Sequence, residues 1–123
     1  MTKPSDLAEK QLLAYNAHDL EAFCACFSDD VVVELLQDNQ VLFTGKDALR
    51  STYAERFSHP DLHAHLLNRM ALGRVVIDEE EVTGLPGGSP LYVLAIYEIE
   101  EGLIRRVRFE RGERGQTRVQ VSG

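Results

Sequence analysis

The sequence predicts an α+β fold in which three N-terminal helices pack against a strongly curved, mainly antiparallel sheet. Apolar residues recur at helical spacing over residues 5–57, interrupted by one short strand pair. From Leu62 onward the pattern changes to two-residue alternation. Two successive hairpins over residues 62–110 then complete a helices-first, strands-last order, the signature of helices stacked on one face of an antiparallel sheet. Bent around its helices, such a sheet leaves a conical hollow suited to a small ligand.

Each element has a local reason. Ser5, with Asp6 and Glu9 in the first turn, caps a helix over residues 5–17, and Leu7, Leu12, Leu13 and Tyr15 supply its apolar side. Asp19 caps a second helix through Phe27, whose buried face is Leu20, Phe23, Cys24 and Phe27. Ser28-Asp29-Asp30 reads as a turn and Val31–Leu36 as a β-branched strand. Residues 37–40 turn the chain into a short return strand, Val41-Leu42-Phe43. Residues 47–57 form a third helix on Ala48, Leu49, Tyr53 and Phe57, and Pro60 prevents its continuation. Strands 62–72 and 75–84 flank a Gly73-Arg74 turn. After the Gly- and Pro-rich loop 85–90, strands 91–100 and 103–110 flank Glu101-Gly102. The tail after about residue 112 is expected to fray.

The chain of 123 residues reads as one domain, 1–123, with an ordinary 44% hydrophobic and 27% charged composition. Its net charge of −7 repels phosphate backbones and anionic lipid, so neither nucleic acid nor membrane is an expected partner. No apolar run approaches the ~20 residues of a membrane span, and the first residues lack a signal-peptide core, so a cytoplasmic location is expected. Cys24 and Cys26 are too close for an unstrained disulfide and have no accompanying ligands for a metal. His59, His63 and His65 lie near one another without the spacing of a zinc motif. No cofactor is expected.

Residues 12–23 (LLAYNAHDLEAF), the Phe27–Val33 run, the helix start Gly45-Lys46-Asp47-Ala48-Leu49 and the closing Glu101–Val107 segment carry a family likeness. Over residues 5–111 the chain resembles the nuclear transport factor 2-like superfamily, most nearly its SnoaL-like and ketosteroid isomerase-like branches. The resemblance implies a cone-shaped, cystatin-like α+β barrel. It implies no one reaction, because the superfamily includes isomerases, polyketide cyclases, epoxide hydrolases and proteins without a reaction. Ketosteroid isomerase uses an Asp base with a Tyr and a protonated Asp as oxyanion hole. Matched to that pattern, Leu35 stands where the base sits and Ala95 where the oxyanion Asp sits. Gln11 falls near the oxyanion Tyr with Tyr15 one turn later, and only Tyr53 matches a supporting pocket tyrosine. A leucine cannot abstract a proton, so steroid isomerisation is not expected.

What remains for chemistry is the 62–84 hairpin. A two-residue turn places Arg69 opposite Asp78, Asn68 opposite Glu79 and Leu67 opposite Glu80. One face then carries His65, Arg69, Asp78 and Glu80; the other carries Leu66, Asn68, Met70, Ile77, Glu79 and Glu81. Which face is internal is open, since a one-residue slip exchanges them. Turned inward, an Arg- or Asn-carboxylate group could act as general base or polarise a substrate oxygen. Turned outward, it is a solvated cross-strand pair worth at most about 1 kcal/mol, and three consecutive acids cannot all be buried. Tyr15, Phe27, Leu35, Tyr53, Phe57, Ala95 and Tyr97 are the expected pocket lining. The expected ligand is a small hydrophobic or amphipathic molecule, bound or turned over by an isomerase, cyclase or epoxide-hydrolase-like activity. The alternative is a homodimerisation module with a vestigial cavity. A homodimer through the outer sheet face is expected in either case.

Overall fold

The computed structural model describes residues 3–113. The elements run α1 (Pro4–Asn16), α2 (Leu20–Cys24), β1 (Phe27–Leu35), a 3-10 turn at Gln37–Asn39, β2 (Val41–Thr44) and α3 (Lys46–Arg56). Four long strands follow: β3 (His63–Leu72), β4 (Val75–Thr83), β5 (Leu91–Glu100) and β6 (Leu103–Gly112). They form one six-stranded sheet in the order β2-β1-β6-β5-β4-β3. Every neighbouring pair is antiparallel except β1 with β6. The α+β expectation is met, with three helices on the sheet. The expected frayed tail lies outside the described residues from 114 onward.

Two boundaries differ from the sequence reading. Pro4 takes the first helical position, where its missing N–H costs nothing. The cap therefore moves back from Ser5 to Lys3, whose backbone N–H donates to Asp6 Oδ2 at 3.1 Å. Asp19 caps α2 as expected, accepting from the Ala22 N–H at 3.1 Å, but the helix ends at Cys24. Phe27–Asp30, read as helix end and turn, instead open β1. Pairing with β6 decides this: the Ile104 N–H donates to the Cys26 carbonyl at 2.9 Å, and Phe27 lies in register with Ile104. A long-range ladder overrides a locally helical pattern.

The sheet is bent by irregular register in β1, β3 and β5, since a bulge bends its strand and sharpens the twist. Helix α1 packs on β3 and β4 while α3 packs on β1 and β2, so one helical layer meets both ends of the sheet. The inner face is made of Val33, Val107, Tyr97 and Val76 in one row across four strands, all nearly inaccessible. Against it lie Leu7, Ala8, Leu12 and Tyr15 of α1. Tyr15, Phe23, Tyr53 and Phe57 form an aromatic cluster with ring centroids 4.5–6.3 Å apart, a favourable range for tilted and edge contacts. Gly84 ends β4 at φ +81°, where an added Cβ would meet the Asp61 carbonyl oxygen at 2.0 Å. Only glycine lets these segments pass so closely. Asn16 ties α1 to β3, donating to the Ala64 carbonyl at 3.0 Å and accepting from its N–H at 2.8 Å.

The strongest polar tie is ionic. Asp78 on β4 is completely buried. Arg69 of β3 clasps it with both ends of its guanidinium, Nε to Oδ1 at 2.7 Å and Nη2 to Oδ2 at 2.9 Å. The remaining nitrogen, Nη1, donates to Glu9 Oε1 of α1 at 2.9 Å. One arginine thus joins helix to sheet and neutralises a charge that burial alone would not tolerate. Replacing Arg69 by Met should cost about 3 kcal/mol or more in urea unfolding, because Asp78 is left buried and unpaired. Adding Asp78→Leu to that variant should restore much of the loss.

Candidate functional site

Alternation along β4 sorts the acidic run. Asp78 and Glu80 are buried while Glu79 and Glu81 are partly exposed on the opposite face. Register puts Arg69 opposite Asp78 and Asn68 opposite Glu79, as the hairpin length implies. A bulge at Leu67 then makes Leu66, not Leu67, the partner of Glu80. The same bulge carries His65 to a position opposite Glu81 on the exposed side, so His65 does not share a face with Arg69, Asp78 and Glu80. Its ring lies 4.4 Å from that of His63. Among the described residues, no group of three His, Cys, Asp or Glu side chains is arranged to hold a metal. Asn68 also sits outside, donating to Glu79 at 3.3 Å.

Between the helices and the inner sheet face lies a cavity of about 50 Å³, room for a few waters or a short chain of ligand atoms. Gln11 and Tyr15 of α1, Tyr53 and Arg56 of α3, Glu80 of β4, Tyr97 of β5 and Arg111 of β6 bring polar groups to it. Ala64, Val82, Leu91, Val93 and Phe109 give it apolar walls. Of the pocket residues expected from the sequence, Tyr15, Tyr53 and Tyr97 are here, and Phe27, Leu35, Phe57 and Ala95 are not part of this lining. Phe27 and Phe57 are drawn into the aromatic cluster through Phe23. Ala95 is buried flat in the sheet opposite Asp78, and Leu35 closes the end of β1 in register with Phe109.

Arg69 and Asp78 do not line the cavity, because they satisfy each other. Glu80 does, and it is in a different position electrostatically. It is 7% exposed and has neither a hydrogen bond nor an ion pair among the described residues. Burial and the nearby Asp78 charge raise its pKa to about 7, against a smaller opposing pull from Arg69. The tyrosine hydroxyls are held protonated. Burial pushes Tyr53 and Tyr97 well up, with Tyr15 adding to the effect at Tyr53 and the Glu80 and Asp78 charges at Tyr97. Burial raises Tyr15 too, against an opposing pull from Arg56 beside it. Gln11 Oε1 is buried without a hydrogen-bond partner among the described residues. The arrangement offers one buried carboxyl, three phenolic donors, an amide and two guanidinium groups.

Arg56 and Arg111 were missed in the sequence although a signal was there. Arg56 follows Tyr53 by three residues on a helix, hence on the same face. Arg111 follows Phe109 by two on a strand, hence on the same side. The positions matching the isomerase acids, Leu35 and Ala95, lie in one inner row with Phe109 and Asp78. The carboxylate of that row is displaced one strand beyond Ala95 and is already engaged by Arg69.

A SnoaL-like domain model matches residues 8–107. The chain belongs to the SnoaL-like family. Among solved structures, this SnoaL-like protein is similar to an uncharacterised cystatin-fold protein from Novosphingobium aromaticivorans, with 28% identity, a TM-score of 0.82, and coverage of 90% of this chain and 100% of that one. It is also similar to a protein from Kribbella flavida provisionally assigned as a ketosteroid isomerase, at 24% identity, TM-score 0.78, and coverage of 95% and 83%. A nuclear transport factor 2-like protein of unknown function from Cytophaga hutchinsonii shares the fold at 12% identity, TM-score 0.76, and coverage of 91% and 92%. No curated protein matches the sequence. Family membership therefore assigns the fold and no specific reaction.

The Glu80 shift has a consequence for stability. Unfolded, the carboxyl ionises near 4.5; folded, it keeps its proton to about 7. Its contribution to stability is complete below the lower value and is lost as pH rises through the higher one. Asp78, Arg69, Arg56, Arg111 and the three tyrosines face it. Wild type should lose stability on the order of 3 kcal/mol from this group between about pH 5 and about pH 8. Glu80→Gln should abolish that component, as read by urea unfolding across the range.

Proposed function

We propose that this SnoaL-like protein is a cofactor-independent enzyme of the isomerase or cyclase type, with Glu80 as its proton-transferring group. The observation that carries this is geometric: a buried carboxyl with no partner among the described residues opens into a cavity beside three protonated tyrosines. A carboxyl poised near neutrality can take a proton from carbon and return it at a neighbouring atom. The electron pair left behind passes to a substrate oxygen, where Tyr15, Tyr53 or Tyr97 can donate a hydrogen bond. Arg69 and Asp78 are positioning residues that fix β4 and add to the field at Glu80.

A second reading is a pocket, or the remnant of one, without a reaction. The small cavity and the aromatic cluster beside it favour that reading. Solvent-deuterium incorporation into small enolisable ketones and oxo acids, followed by proton NMR, separates the two. Exchange should rise with pH through about 7, and Glu80→Gln should lower it by about 100-fold or more. Exchange absent across the panel, or unaffected by Glu80→Gln, would leave the reaction-free pocket standing.

The protein is also proposed to act as a cytoplasmic homodimer. Support comes from the outer sheet face, where Met70, Ile77 and Leu94 line a groove of about 340 Å³. Beside that groove, Glu34, Arg108 and Ile96 extend the same row. Leu94, not Val93, is the outward residue, Val93 being buried. Sedimentation at micromolar concentration should give twice the 13.8 kDa chain mass, and Leu94→Asp with Met70→Asp should return the monomer.

A further inference from the structure

Six of the eight arginines among the described residues are committed to carboxylates. Arg50 pairs with Glu21, Arg69 with Glu9 and Asp78, and Arg74 with Glu100. Arg105 pairs with Asp30 and Glu100, and Arg106 and Arg108 with Glu34 and Glu98. Arg56 and Arg111 have no carboxylate partner among the described residues, and both line the cavity. They come from different elements, the last turn of α3 and the end of β6, so no local sequence feature brings them together.

Position adds direction. Arg111 is opposite Val93, and Val93 is opposite Glu80, which sets Arg111, Val93 and Glu80 in one inner row. Two interstrand steps separate the backbones of the cation and the acid by about 10 Å. Arg111 is exposed, Arg56 half-buried and Glu80 buried, so the guanidinium groups stand at the rim and the carboxyl inside. In the same lining, Gln11 Oε1 is buried without a hydrogen-bond partner among the described residues.

We infer that the cavity takes a small organic acid, its carboxylate held at the rim by Arg56 and Arg111 and its reactive carbon directed inward to Glu80. Guanidinium groups match carboxylate geometry and remain charged at any working pH. In a chain of net charge −7, cations at a cavity with no carboxylate partner among the described residues make a local site for an anion that the rest of the surface repels. Of the small hydrophobic or amphipathic molecules expected from the sequence, this inference selects an amphipathic one with an anionic end. This rests on the reading of the cavity as a substrate site.

Binding of 4-oxopentanoate and of its neutral methyl ester, measured by calorimetry at low and high salt, tests the inference. The acid should bind at least about ten-fold more tightly than the ester at low salt, and added salt should narrow the gap. Arg56→Gln and Arg111→Gln should each remove most of the discrimination while melting as wild type does. Ester binding equal to that of the acid, discrimination surviving both substitutions, or no binding of either probe at 10 mM would overturn it. NMR titration of Glu80 keeps the two readings apart. Charge discrimination with Glu80 ionising near 4.5 retains the anion site and removes the proton-transfer reading; Glu80 near 7 with no discrimination does the opposite.

Discussion

A carboxylate with no exposed surface can persist only if something repays its lost hydration, and in this protein Arg69 does so for Asp78. The pair is more than a local compensation. Its geometry requires β3 and β4 in one register, and its third nitrogen fixes α1 over the sheet through Glu9. It also leaves Glu80, two residues along the same face, in the field of a fixed negative charge. The position of the helix and the register of the hairpin therefore share one cause, and to the burial that chiefly raises the pKa of Glu80 the pair adds the Asp78 charge.

Neighbouring acids in β4 thus have separate roles set by environment. Asp78 is ionised, engaged and inaccessible to a ligand. Glu80 is buried without a partner among the described residues and keeps its proton to about neutrality. Glu79 and Glu81 turn to the other face, where Asn68 and Tyr92 donate to them. Strand periodicity alone produces this division, since successive side chains point to opposite sides of a sheet. It also resolves the apparent impossibility of burying three consecutive carboxylates: only the middle one is inside.

The interior is shared between packing and space. Phe23, Phe27 and Phe57 occupy much of the hollow beneath the helices, while Tyr15, Tyr53 and Tyr97 stop short and leave a small polar chamber. His18 helps close the helical end. It adopts a positive φ of 56°, stacks on Phe57 with ring centroids 5.9 Å apart, and places Nε2 at 2.8 Å from the Leu62 carbonyl. His18 is therefore part of the junction between α1, α3 and β3.

The sequence by itself determined the helices-then-strands order, both long hairpins, the pairing of Arg69 with Asp78 and the candidacy of Glu80. Each follows from short-range periodicity or from a two-residue turn that sets register over the next few positions. It did not determine the end of α2, the bulge at Leu67, the face on which His65 lies, or the meeting of Arg56 and Arg111. Those depend on contacts between residues far apart in the chain: β1 pairing with β6, α1 settling on β4, α3 closing over the sheet. Local spacing contains no record of such encounters, because burial is decided by which surfaces meet.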